Sequence, residues 1–338
     1  TAAAASAVKP GDGKISVLTW ETYHEDPWIA QAEKDLGLKI TVTRAGSVDE
    51  LFAKAQSGEG ADLFLVDSGS LTRYKDAGLI APVDESLLPN IKNANPGLPY
   101  DKFNRIDGKL WAVPYNWGVQ PLLFDKTKVP EADTQTWASL WDPKYKGEVM
   151  IPDDAYITLP MVALAKGFDP FNWTDKEYGE AKDALTQLRG QVKSLTTSFN
   201  AQEQMMSSGE AVIGYGQAYG FVEKYKNLGM SFPKEGVPFW MDNYFFSKKA
   251  ATDADVYKFV NYTLTPEWQC RFANETFQNG IMPPDVAKTC FKPEVWAGGG
   301  GNLVQALTPE LMKRLVLFLP VENFDKRLQL WNAFKTGT

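Results

Sequence analysis

The chain has 338 residues, 44% of them hydrophobic; it is too long for one ordinary core, long enough for two domains, and too apolar to be disordered. Its 42 acidic against 35 basic residues leave a net charge of −7, which argues against nucleic acid and anionic membranes as partners. No run approaches the roughly 18 apolar residues that a membrane-spanning helix needs.

The first stretch, Thr1-Ala2-Ala3-Ala4-Ala5-Ser6-Ala7, reads as the tail left beside a removed export signal. Lys14–Trp20 then reads as a strand that stops in Trp20-Glu21-Thr22-Tyr23, an acid between aromatic side chains. Asp26-Pro27 opens a helix, since proline is favoured in the first turn. Trp28, Ile29, Ala32 and Leu36 form its apolar face, and Gly37 stops it. Lys39–Thr43 is the second strand. Ser47 with Glu50 three residues on makes a capping box for a helix carrying Leu51, Phe52 and Ala55 and ending at Gly58. Asp62–Val66 is a third strand with an apolar interior, as a buried parallel strand has. This β-α-β-α-β order predicts a parallel sheet with helices on both faces, and ligands bind beyond the carboxyl ends of such strands. Trp20-Glu21 and Asp67-Ser68 both stand at that edge, and an acid flanked by aromatic faces matches an organic cation.

The middle of the chain is built in a similar way but separately. Trp137–Trp141 reads as a short helix and Glu148–Pro152 as a strand ending in Asp153-Asp154. Helices are expected at about 156–166, 174–190 and 200–208, and Ala211–Tyr215 is another buried strand. Pro238-Phe239-Trp240-Met241-Asp242 leads into an extended Tyr244–Phe246. A helical pair spans about 252–276, with Asp253 as a cap and Val256, Phe259, Val260 and Leu264 facing inward. Helices are expected again at about 308–318 and 321–335, and Gly298–Gly301 reads as a flexible loop. Trp111, Trp137, Trp141 and Trp173 are expected in packing roles.

The motifs of catalysis are missing. His24 is the only histidine and is expected at the surface; no Gly-x-Ser-x-Gly elbow is present, and no cysteine–histidine cluster has zinc spacing. The carboxylate pairs Asp153/Asp154 and Glu21/Asp67 keep a glycosidase in view, although adjacent acids more often cap turns and helices. No Tyr-Tyr pair is present for ferric iron. The chain is therefore expected not to be an enzyme, and to need neither cofactor nor metal. Cys270 and Cys290 lie 20 residues apart. In an exported protein they form a disulfide; in a reducing cytosol they are two core thiols.

Six stretches in one order carry a family resemblance: Trp20-x-x-Tyr23; Ala61-Asp62-Leu63-Phe64 with Tyr74-Lys75-Asp76-Ala77-Gly78-Leu79-Ile80; Val113-Pro114-Tyr115-Asn116-Trp117-Gly118; Trp137-x-x-Leu140-Trp141-Asp142-Pro143-Lys144-Tyr145-Lys146-Gly147; Asp153-Asp154-Ala155; and Pro233-Lys234-Glu235-Gly236 leading to Phe239-Trp240-Met241-Asp242. Over nearly its whole length the chain resembles the spermidine/putrescine-binding family of ABC-transporter solute-binding proteins. The resemblance implies an α/β fold of two hinged lobes, each a mostly parallel sheet flanked by helices, with a ligand cleft between them. Lobe one is expected to be 1–117 with 242–290 and lobe two 118–241 with 291–338. It further implies a periplasmic monomer that binds a small amine and presents it to an ABC permease in the inner membrane.

By the same resemblance, Trp20, Tyr23, Trp240, Asp242 and Asp154 form a cation box. Glu21, Asp67, Ser68, Trp117 and Tyr215 complete the expected ligand set. The chain departs from the family at Ile157, where spermidine binders place a second acid, and at Glu21, Asp67 and Gly69. A small cationic amine of the putrescine or spermidine kind is expected, with the case for a long triamine weakened by Ile157, or alternatively an ω-amino acid such as γ-aminobutyrate, whose carboxylate Arg44 is the first candidate to hold.

Overall fold

Among the described residues, a seven-stranded sheet, a five-stranded sheet and a two-stranded hairpin organise the chain. The computed structural model describes residues 8–21, 23–46, 48–57, 61–217, 224–276, 278–297, 311, 313–321 and 323–337. The expected Ser47 cap, the Gly58 helix end, the Gly298–Gly301 loop and the Thr1–Ala7 tail lie outside them. The chain divides into two compact units: Thr1–Gly118 with Trp240–Pro293 and Leu303–Gln305, and Val119–Phe239 with Glu294–Asn302 and Ala306–Thr338.

Unit 1 opens with β1 (Lys14–Trp20), α1 (Asp26–Leu36), β2 (Lys39–Ala45), α2 (Val48–Gln56), β3 (Leu63–Asp67) and α3 (Leu71–Asp76). The causes are local. Pro27 sits in the first turn of α1, Trp28, Ile29 and Ala32 are buried, and Gly37 ends the helix at φ 66°, a conformation that costs glycine nothing. After the short α4 (Tyr100–Phe103) and a hairpin of β4 (Arg105–Ile106) and β5 (Lys109–Leu110), β6 (Val113–Val119) runs into unit 2.

Unit 2 contains β7 (Leu122–Asp125), β8 (Val149–Pro152), α5 (Ala155–Lys166), α6 (Asp175–Arg189), β9 (Val192–Thr196), α7 (Phe199–Ser207), β10 (Ile213–Tyr215) and β11 (Leu228–Ser231). Its sheet has the order β11-β7-β10-β8-β9, with β8 parallel to β9 and β10, and β7 antiparallel to β10 and β11. Side-chain caps fix the helix starts. Thr174 and Glu177 form a capping box on α6, and Asp154 accepts from the Ile157 N–H at 2.9 Å to start α5. The expected helix at Trp137–Trp141 is present as a 3₁₀ turn.

The chain returns to unit 1 within β12 (Val237–Phe246), followed by α8 (Ala254–Thr263), α9 (Pro266–Thr276), β13 (Asn279–Gly280), α10 (Pro284–Cys290) and α11 (Pro293–Ala297). The unit 1 sheet runs β13-β6-β12-β3-β1-β2. β1 is parallel to β2 and β3, whereas β12 lies antiparallel to β3 and β13 antiparallel to β6. The tail holds β14 (Leu315–Leu317) and α12 (Phe324–Thr336). The expected helix at 308–318 is corrected here, because Leu315, Val316 and Leu317 pair in parallel with Val237, Pro238 and Phe239. Three consecutive aliphatic residues carry no helical period, and the free edge of β12 captures them.

His24 is a second correction. It is fully buried rather than at the surface, in an aromatic cluster of Tyr115, Tyr244, Phe259 and Trp268. Its backbone takes φ 56°, which turns the side chain inward immediately after β1. Nε2 lies 2.6 Å from the Tyr244 hydroxyl, and burial first, then the Arg44 charge, lowers its pKa to about 3. It is a neutral core residue, not a base.

Cys270 on α9 and Cys290 on α10 are joined as a disulfide, with a Cα–Cα distance of 5.8 Å. Closing 20 residues removes unfolded-state entropy worth about 3 kcal/mol. Cys270→Ser with Cys290→Ser is expected to lower the urea midpoint with little change in slope; an unchanged midpoint would show that the bridge contributes nothing to stability.

Candidate functional site

The carboxyl ends of β1 and β3 and the start of β12's unit 1 half meet at one edge. β12 runs antiparallel to β3, and its register places Asp242 directly opposite Asp67. Like charges facing each other across a ladder repel. Among the described residues, neither acid is ion-paired. Asp242 is 5% exposed. Burial pushes its pKa up to about 8, and the Asp67 charge adds to the rise. Burial likewise raises Asp67, while the Ser70 hydroxyl, donating at 2.7 Å, opposes this.

The surroundings of the pair are polar on one side and aromatic on the other. The Tyr23 hydroxyl lies 2.9 Å from Asp242 Oδ2 and 2.7 Å from Gln278 Oε1, and it accepts from Asn116 Nδ2 at 2.6 Å. The Trp20 indole N–H is close enough to Asp242 to oppose the rise in its pKa, yet it makes no hydrogen bond and is buried. Trp240 is half-buried and shares a strand face with Asp242, because side chains two apart point the same way. Behind them, Asn243 Nδ2 donates to Ser68 Oγ at 2.9 Å and to the Met241 carbonyl at 2.8 Å, and Asn104 Nδ2 donates to Asn243 Oδ1 at 2.6 Å. This amide chain fixes β12 against the turn after β3.

The remaining expected residues are placed as follows. Ser68 uses its hydroxyl as donor to the Met241 carbonyl at 3.1 Å. Trp117 is fully buried, with its indole N–H on the Gly280 carbonyl at 3.0 Å. Glu21 is exposed and faces Gly46. Arg44 Nη2 donates to the His24 carbonyl at 2.7 Å and to Asp26 Oδ1 at 3.0 Å. In unit 2, Asp154 is half-buried at the start of α5, and its charge raises the pKa of the fully buried Tyr215 after the larger effect of burial. The Tyr215 hydroxyl donates to the Ile157 carbonyl at 2.9 Å, so Asp154, Ile157 and Tyr215 are one group within that unit. Asp153 is held apart from Asp154 by the Trp331 indole at 3.0 Å and the Lys335 ammonium at 2.7 Å.

Sequence reasoning missed Asn116 and Gln278. Asn116 carried a signal, a lone amide inside the fully buried run Val113–Val119. Gln278 carried none. Among the described residues no cluster of three or more His, Cys, Asp or Glu is placed to hold a metal ion, and no helix is long and apolar enough to cross a membrane.

Residues 28–299 match the model of a family described as bacterial extracellular solute-binding protein. The spermidine/putrescine-binding periplasmic protein of Escherichia coli (strain K12) is 27% identical over 285 residues, covering 82% of this chain and 79% of that one. Among solved structures, a spermidine/putrescine ABC transporter substrate-binding protein from Streptococcus pneumoniae superposes with a TM-score of 0.81 at 23% identity, over 96% of this chain and 98% of the other. A structure described as the Atu4243-GABA receptor superposes at 0.71 with 15% identity, over 95% and 97% of the two chains.

Proposed function

The chain belongs to the bacterial extracellular solute-binding proteins, and from that premise we propose that it captures a small organic cation of the diamine or polyamine class. The family works with ABC permeases and is not one of enzymes. The observation that carries the proposal is the Asp67–Asp242 pair, two carboxylates facing across adjacent strands with no Lys or Arg paired to either among the described residues. Near neutral pH an arriving cation favours the fully ionised form of such a pair. An ammonium group there gains charge-assisted hydrogen bonds from the acids and roughly 0.5–2 kcal/mol from an indole face. Trp20 and Trp240 are the proposed faces; Tyr23, Ser68 and Trp117 hold the edge in place. Within unit 2, Asp154 is the proposed ligand residue, and Tyr215, fully buried with its hydroxyl on the Ile157 carbonyl, supports the start of α5. The relative from Escherichia coli is named for spermidine and putrescine, which supports the same class. The protein is proposed to act in the periplasm as an exported monomer.

A second reading, an aminoalkyl zwitterion such as γ-aminobutyrate, draws on Ile157 standing beside Asp154 without a second acid and on the GABA receptor likeness. Arg44 would then have to leave Asp26 and the His24 carbonyl.

Thermal unfolding against putrescine, spermidine and γ-aminobutyrate separates the two. At about 100 times the dissociation constant a ligand adds roughly 2.7 kcal/mol, a rise of several degrees in a chain of this size. The diamine or triamine is expected to give that rise. A rise with γ-aminobutyrate alone would overturn the amine reading and make Arg44 the residue to replace.

A further inference from the structure

Tyr23 has one hydroxyl proton and two acceptors waiting for it. Asn116 Nδ2 occupies an oxygen lone pair of Tyr23 from one side at 2.6 Å. On the other side stand Asp242 Oδ2 at 2.9 Å and Gln278 Oε1 at 2.7 Å. Gln278 Oε1 also accepts from Asn116 Nδ2 at 3.1 Å, which orients the glutamine with its oxygen toward the tyrosine. The stretch that delivers it, between α9 and β13, lies inside the loop closed by Cys270 and Cys290. We propose that Gln278 is a positioning residue of the ligand site, which draws the Tyr23 hydroxyl proton away from Asp242 and so leaves that carboxylate short of a donor until a cation supplies one.

The physical sense is a competition between two acceptors. A proton given to Asp242 stabilises its carboxylate and weakens its demand for an ammonium group; a proton given to Gln278 does the reverse. The other groups facing Asp242 do not alter the sign. Asp67 on β3 repels it, the Trp20 indole is near without a hydrogen bond, and the Tyr115 phenol, whose pKa is raised first by burial and then by the Asp242 charge, already accepts from the Trp268 indole at 3.0 Å. Among the described residues no Lys or Arg pairs with either acid.

This inference rests on the acid pair being the cation site, but its test is made on the ligand-free protein. The carboxyl carbon of Asp242, assigned by its loss in Asp242→Asn, is titrated by NMR. In Gln278→Met the Tyr23 proton has only Asp242 to go to, and the midpoint is expected to fall by about one pH unit, the worth of one hydrogen bond to a charged group. In Gln278→Glu the new carboxylate takes the proton and adds a like charge, and the midpoint is expected to rise. In a Tyr23→Phe background Gln278→Met is expected not to move it, because the shared proton is gone, and Gln278→Glu is expected to keep only the smaller rise that its like charge gives through space. Shifts of the same sign in Gln278→Met and Gln278→Glu, or a Gln278→Met shift that persists in Tyr23→Phe, would overturn the proposal and leave Gln278 a packing residue. Failure of every amine to bind would instead overturn the functional reading and leave this titration to stand or fall by itself.

Discussion

Asp242→Asn is expected to weaken diamine binding by roughly a hundred- to a thousand-fold and, in the same protein, to make the empty fold more stable above neutral pH. The first effect is the loss of one member of a buried charge pair, typically 2–5 kcal/mol, each 1.4 kcal/mol being tenfold in affinity. The second has the opposite sign and follows from proton linkage. The carboxyl of Asp242 titrates near 3.8 when exposed and at about 8 in the fold. Between those values the native state holds a proton that the unfolded chain has released, so stability is full below the unfolded value and is lost as pH rises toward the folded one. An asparagine has no such charge to bury. Calorimetric titration with putrescine at pH 8 and urea unfolding of both empty proteins at pH 5 and pH 8 measure the two effects. A variant that bound putrescine as tightly as the parent would place the ammonium group elsewhere and sink the cation reading. One that was less stable than the parent at pH 8 would show that Asp242 is supported in the empty protein by something other than a proton.

Much of the first unit was legible because its signals are local. The apolar run Leu63-Phe64-Leu65-Val66 has room for nothing but a buried strand, and Pro27 and Gly37 mark the ends of α1. The edge at which Trp20 and Asp67 stand follows from strand order alone. What could not be read was pairing between distant segments. That Asp242 lies opposite Asp67 depends on β12 returning antiparallel against β3, and no residue near either acid encodes that register. The same limit hid β14, whose strand conformation is set by the edge of β12 rather than by its own three residues. His24 was misplaced for a different reason. A histidine beside a strand end reads as polar, yet a left-handed backbone at that position and the stack on Tyr115, with ring centroids 5.3 Å apart, turn it into core. Gln278 was invisible because its role is defined only by the two residues it touches, Tyr23 and Asn116, each far away in the chain.

Affinity for a diamine is expected to rise about tenfold for each unit of pH from 6 to about 8, and to level off above that. In the empty site Asp242 keeps its proton up to about pH 8, raised first by burial and then by the Asp67 charge across the ladder. A cation binds the ionised carboxylate, so below the midpoint each unit of acid makes the competent form tenfold rarer. The ligand does not limit the rise, since an alkylammonium stays charged to about pH 10. It follows that capture releases about one proton below the midpoint and none well above it. Titrations in two buffers with different ionisation enthalpies, at pH 6.5 and pH 9, count that proton directly. A surface ion pair would instead weaken steeply with salt and ignore pH in this range. Affinity that is flat from pH 6 to 8 with no proton released would mean that the pair is already ionised when empty. That in turn requires a cation at the sheet edge in the ligand-free protein, and the Asp67–Asp242 pair would then have no unmet charge with which to hold an ammonium group.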